Sequence, residues 1–106
     1  MDLAEQIYKL VKLLPKEENY ALADQLRRAA ISVPSNIAEG QARNSPKEFI
    51  QFLSIARGSA AEIETQLLLC ERLGFVARAQ IDSLIDLCVE IAKMLSSLIS
   101  TLIKKA

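Results

Sequence analysis

Two long stretches of the chain carry apolar residues at spacings that alternate between four and three without a slip. The first is Phe49, Leu53, Ala56, Ala60, Ile63, Leu67 and Cys70. The second is Ile81, Leu84, Cys88, Ile91, Leu95, Leu98 and Leu102. A period of 3.5 puts each set on one side of an α-helix, whereas a strand needs alternation every second residue. Such stripes have to be buried, and helices this long bury them against other helices. The stretches predict a third helix over Pro46–Leu73, about 42 Å long at 1.5 Å per residue, and a fourth from about Ala77 to Lys104. In the fourth, a second row (Ile85, Ala92, Ile99, Ile103, with Val89 near its edge) widens the stripe beyond the needs of one partner.

The punctuation supports these bounds. Ser45-Pro46-Lys47-Glu48 offers an N-cap serine, a proline at the first helical position and a glutamate at the third. Gly74 stands where a helix stops by turning left-handed. Upstream, Leu3, Ile7, Leu10 and Leu14 form one stripe, widened by Ala4 and Val11, over a first helix from Asp2 to Leu14. Pro15 ends it by pushing its predecessor out of the α region. A second helix starts near Lys16–Asn19, with Glu17, Glu18 and Asp24 toward its positive end. Leu22, Leu26, Ala29 and Val33 form its buried stripe. Pro34 lacks an N–H and crowds the carbonyl of Ala30, which predicts a kink there. The side chains of Ser32, Ser35 and Asn36 are spaced to serve the freed backbone groups. Gly40 suits a left-handed end for this helix, with a run on to Asn44 as the alternative. Gly58, in the small run Ala56–Ala61, costs roughly 1 kcal/mol of helix propensity against alanine. A tight crossing with the second helix would account for it.

Four helices with short connections give an all-α, antiparallel up-down-up-down bundle with a proline-kinked second helix, one domain over residues 1–106. Hydrophobic residues make up 51% of the chain, and the mean hydropathy is +0.20. That is high for a chain this small, and with the broad fourth stripe it predicts apolar surface shared with other copies. No run is long enough to span a bilayer, which takes roughly 20 apolar residues. The opening residues Met1–Glu5 are acidic and already amphipathic, unlike a secretory signal, so the expected compartment is a reducing cytoplasm. Cys70 and Cys88 fall in apolar helical runs and read as buried thiols, with a disulfide between adjacent helices as the alternative.

The residue types exclude most chemistry. There is no histidine, which removes the commonest general base and metal ligand. Two cysteines on separate helices are no zinc site, and three scattered glycines make no phosphate loop. No cofactor or metal is expected. The notable polar residues cluster around the second and third helices. Arg28, Ser32, Asn36, Glu39, Arg57 and Glu62 are expected to form a structural network inside the bundle, with Glu39 and Glu62 paired to arginines such as Arg28 or Arg57, because buried polar groups need partners. A functional polar pocket of Arg28, Asn36, Glu39 and Glu62 is the sharper alternative, and an enzyme using Glu39 or Glu62 is a third reading that the missing histidine and glycine loop disfavour. Arg27, Arg43, Lys47 and Arg72 are candidate phosphate contacts. Lys+Arg and Asp+Glu number 13 each, so the formal net charge of zero argues against strong non-specific binding to nucleic acid.

Leu14-Pro15-Lys16-Glu17-Glu18-Asn19-Tyr20, Gln25–Ala30, and above all Ser32-Val33-Pro34-Ser35-Asn36-Ile37-Ala38-Glu39-Gly40 are a specific combination. With Ser45–Phe49, Leu53–Ser59 and Glu62–Leu67, the chain resembles a family of bacterial four-helix-bundle proteins. These were first noticed as reading frames in intervening sequences of large-subunit ribosomal RNA genes. The resemblance implies an up-down bundle assembled as a homopentameric ring. It also implies kinship with the accessory protein of diversity-generating retroelements, which partners a reverse transcriptase and has a basic surface. The even charge of this chain departs from that relative. The functional expectation is a non-enzymatic oligomeric scaffold or adaptor associated with an RNA or ribonucleoprotein partner. The alternative is a nucleic-acid binder acting through a basic patch.

Overall fold

The computed structural model describes residues 2–18 and 21–105, and among them every long element is helical. Helix α1 spans Asp2–Val11, α2 Leu22–Gln41, α3 Pro46–Arg72 and α4 Arg78–Lys105. The chain forms an all-α four-helix bundle with extents of 46 × 23 × 18 Å. Its long axis is close to the ~42 Å of a 28-residue helix such as α4.

The ends of α3 are specified by local chemistry. Ser45 is extended, and its Oγ accepts from the N–H of Glu48 at 3.3 Å, with Pro46 in the first turn. At the other end Gly74 takes φ +79°, the only positive φ among the described residues. The Gly74 N–H then donates to the Glu71 carbonyl and Phe75 N–H to the Cys70 carbonyl, each at 3.0 Å. This paired closure satisfies two carbonyls the helix would otherwise leave bare. A Cβ at position 74 would meet no atom, so Gly74→Ala suffers only the backbone penalty of left-handed φ. We expect it to lower stability by about 1–2 kcal/mol, read from urea unfolding.

Two expected boundaries shift. Helix α1 stops at Val11 rather than Leu14, although Leu14 stays buried. Helix α2 begins at Leu22, because a short 3₁₀ turn over Lys16–Glu18 follows Pro15. Glu17 and Glu18 therefore precede α2, and of the three expected acids only Asp24 lies in its first turn; Asn19 and Tyr20 lie outside the described residues. Helix α2 runs on through Pro34 as one helix.

Neither helical glycine plays the role expected of it. Gly40 does not turn left-handed. It stays inside α2, where a Cβ would lie 2.7 Å from Cδ1 of Phe49 and 2.9 Å from Cβ of Phe52. Gly58, assigned to a tight crossing, meets nothing within 4 Å. The close approach of α2 and α3 occurs at the turn between them, where a short connection forces the axes together.

The core is continuous but uneven. One cluster draws on all four helices, with Leu3, Ile7, Leu26, Val33, Ile63, Leu67 and Ile81 almost wholly buried. A second holds Leu53, Ala56, Leu95 and Ile99, with Ile37, Ile91 and Leu102 packed against it and no residue of α1. Helix α1 has ten residues against 28 in α4, so it covers only part of the bundle's length.

Cys70 and Cys88 are both buried, and no disulfide joins them. Burial, assisted by the negative charge of Glu64, pushes the Cys88 thiol up to about 12. The folded state therefore holds that proton more tightly than the unfolded chain. Its contribution to stability is complete below pH 9 and fades as the pH rises toward 12. The folded protein is expected to resist alkylation at Cys88 at pH 8, whereas urea-unfolded chain should label fully, as intact mass would report.

Candidate functional site

The polar residues picked out from the sequence do not assemble into one network. Helical spacing puts Ser32 and Asn36 on the flank of α2 that meets α3. There the Ser32 Oγ lies 2.8 Å from Ser59 Oγ, a partner on α3. The Asn36 amide donates to Ser32 Oγ at 2.9 Å and to the Ser32 carbonyl at 2.8 Å. Asn36 thus serves a backbone group, as expected, while Ser35 is exposed. This small seam is partly buried and satisfied. Asn36→Ala should cost about 1–2 kcal/mol, and a Ser32→Ala/Ser59→Ala double-mutant cycle should show coupling of about 0.5–1 kcal/mol.

The other four predicted members lie elsewhere. Arg28 pairs with Asp24 at 3.1 Å on the surface. Arg57 donates to Ser96 Oγ on α4 at 3.1 Å, tying the opposite flank of α3. Glu62 is exposed and accepts from Gln66 of its own helix at 3.4 Å. Glu39 pairs with Arg43 at 3.5 Å rather than with Arg28 or Arg57. The interior pairing expected for Glu39 and Glu62 fails because neither is inside. Both sit on outward faces, where solvent already satisfies a carboxylate. Glu39→Ala should move stability by no more than about 0.5 kcal/mol in a thermal melt, the usual worth of an exposed i,i+4 pair.

The four candidate phosphate contacts do not form a patch on one chain. Arg43 is held by Glu39 and by the Phe52 ring, whose centroid is 5.0 Å from its guanidinium carbon. Lys47 begins α3 and Arg72 ends it, about 37 Å apart along a helix rising 1.5 Å per residue. Arg27 is on a third surface, the flank of α2 opposite Ser32. Sequence reasoning missed Ser59 and Ser96, the partners that make the seam and the Arg57 tie. Serine in a helix carries no mark of what it will face.

Two shallow grooves indent the surface. One runs between α1 and α4 past Gln6, Lys9, Leu13, Gln80 and Ser83. The other lies along α3 beside Thr65, Leu69 and Arg72. Neither groove is lined by a carboxylate. Among the described residues no cluster of three or more His, Cys, Asp or Glu side chains is placed to hold a metal, and no helix is long and apolar enough to cross a membrane.

What stands out is apolar surface. Ile31, Ile55, Leu69, Leu73, Met94, Leu98 and Ile103 are all exposed, Met94 by 64% and Ile55 by 52%. Comparison with known proteins agrees with the fold and adds no activity. A search of curated proteins finds no match. A solved structure from Bacteroides thetaiotaomicron, described as a protein with unknown function from the S23 ribosomal protein family, is similar at 32% identity. It superposes with a TM-score of 0.85 over 92% of each chain. The model of the 23S rRNA-intervening sequence proteins matches residues 1–97, and on that match the chain belongs to the 23S rRNA-intervening sequence protein family.

Proposed function

We propose that this protein is a non-enzymatic scaffold or adaptor that works as a homo-oligomer and serves an RNA or ribonucleoprotein partner in the cytoplasm. The observation that carries this reading is the set of aliphatic side chains left on the outside of α3 and α4. Ile55, Leu69, Met94 and Leu98 recur with helical spacing, as buried faces do, and exposed faces of this kind mark contact surfaces. The zero net charge removes the long-range repulsion that keeps charged copies apart. Five copies is the number the family resemblance implies. The ribonucleoprotein partner rests on that resemblance alone.

Light scattering on a size-exclusion column tests the assembly, and a mass of several chains at micromolar concentration is the expected result. A salt titration of RNA binding tests the adaptor. Purified protein should show little affinity for RNA at any salt. Tight binding that weakens steeply with salt would instead establish a phosphate-reading protein.

A further inference from the structure

The even charge of the chain hides a lopsided distribution. Contacts between helices show which residues lie at the same level. Ser32 of α2 meets Ser59 of α3, Gly40 lies close to Phe49 and Phe52, and Arg57 of α3 bonds Ser96 of α4. Residues 32–59 and 94–105 therefore make up one half of the bundle's length. Helix α1 belongs to the other half, since the cluster around Leu53 and Leu95 holds no residue of it. The first half carries five Lys and Arg against two Asp and Glu, a net charge of +3. The remainder carries eight against eleven, a net charge of −3. A molecule 46 Å long is thus neutral as a whole and electrically polar from end to end.

The surplus cations gather at the tip of the basic half. Counting outward at equal rise from the Arg57–Ser96 bond, Lys47 at the start of α3 comes level with Lys104 and Lys105 at the end of α4. All three lysines are exposed, and none makes an ion pair among the described residues. The two arginines of this half are already engaged, Arg43 by Glu39 and the Phe52 ring, Arg57 by Ser96. Of its two carboxylates, Glu39 is the one spent on Arg43. Beside Lys104, Ile103 stands 60% exposed.

We propose that this tip is the end by which the scaffold holds its partner, and that it takes a short acidic, amphipathic segment of a partner protein. The inference rests on the adaptor reading above and names the end and the partner's chemistry. Three uncommitted lysines complement carboxylates, and the exposed Ile103 calls for an apolar side chain among them. A phosphate backbone would leave that isoleucine in water. Bases would find no stacking surface either, because Phe49 and Phe52 are half-buried and Arg43 covers the Phe52 ring. Length decides further. A nucleic acid running along the bundle meets the acid-rich half and is repelled there, whereas a segment of about four helical turns, about 22 Å, spans a tip 23 × 18 Å across and stays on it.

Calorimetric titration with a synthetic peptide of that length, leucine at every third or fourth position and glutamate elsewhere, tests the proposal. The peptide should bind, and more weakly as salt is added. Its counterpart with lysine in place of glutamate should not. Reversing the three lysines together, Lys47→Glu, Lys104→Glu and Lys105→Glu, should weaken binding by about tenfold or more, and Ile103→Gln by about threefold to tenfold. The same reversal of Lys9, Lys12 and Lys16 in the acid-rich half should change it by less than about twofold. Circular dichroism and light scattering check that each variant folds and assembles as the parent does, and glutamine at the same three positions replaces glutamate where the reversal disturbs either. A peptide that fails to bind, or that binds the altered tip as well as the parent, overturns the docking end and leaves the adaptor reading standing. An oligouridylate of like length that binds more tightly than the peptide, with an affinity that collapses in salt, overturns both.

Discussion

Gly40→Ala is expected to destabilise the protein by about 1–2 kcal/mol, although the same substitution normally strengthens a helix. The methyl group would sit 2.7 Å from the Phe49 ring and 2.9 Å from the Phe52 Cβ. The ring can tilt, but the Phe52 Cβ is fixed to its backbone, so α2 and α3 must move apart. Overpacking of this kind costs about 1–3 kcal/mol. The propensity gain of up to roughly 1 kcal/mol offsets only part of it, and less at a helix end. Gly58→Ala is the control. It adds the same methyl to open space, and should raise stability by up to about 1 kcal/mol in dilute, unassembled protein. Urea unfolding of both variants reads the signs directly. A stabilised Gly40→Ala would show that the aromatic pair does not hold the helix turn closed.

Leu67→Ala should have the larger effect, about 3–4 kcal/mol, because Leu67 is fully buried in the cluster built from all four helices. Trimming its isobutyl side chain to a methyl leaves a cavity whose walls are braced on every side. Leu53 is equally buried, but its cluster lacks α1. That end has fewer constraints and can relax into the space, so Leu53→Ala should cost about 2–3 kcal/mol. In a chain of this size the Leu67 loss corresponds to a fall in Tm on the order of 10–20 °C. The melts belong at one protein concentration, since assembly would make Tm depend on it. Equal losses at the two sites would mean that the α1-free half is as rigid as the rest.

Much of this architecture is legible in the residues themselves. Leu53, Ala56, Ala60, Ile63, Leu67 and Cys70, chosen by spacing, are all buried. Ser45, Pro46 and Gly74 bound α3 as their chemistry requires. The candidate site was far less legible. Ser32 and Asn36 do meet, but through Ser59, and Glu39 pairs with a cation assigned to another role. Arg27, Arg43, Lys47 and Arg72 resembled a patch because adjacency in sequence says little about which face of which helix a side chain leaves from. Gly40 reads as a helix stop and Gly58 as a crossing point, and the contacts fall the other way, since a glycine does not say whether it serves a turn or a close approach.

By itself the sequence determined the four helices, the two ends of α3 and most of the inward faces. Those depend on hydrogen bonds and side-chain spacing within a turn or two, so neighbouring residues suffice. Only the tertiary structure decided that Ser32 would face Ser59, 27 positions on, and Arg57 would face Ser96, 39 positions on. It alone left the cluster around Leu53 and Leu95 without α1, and Ile55 and Leu69 exposed on α3. Such features follow from the rotation and offset of whole helices, which many contacts set together and no short stretch encodes.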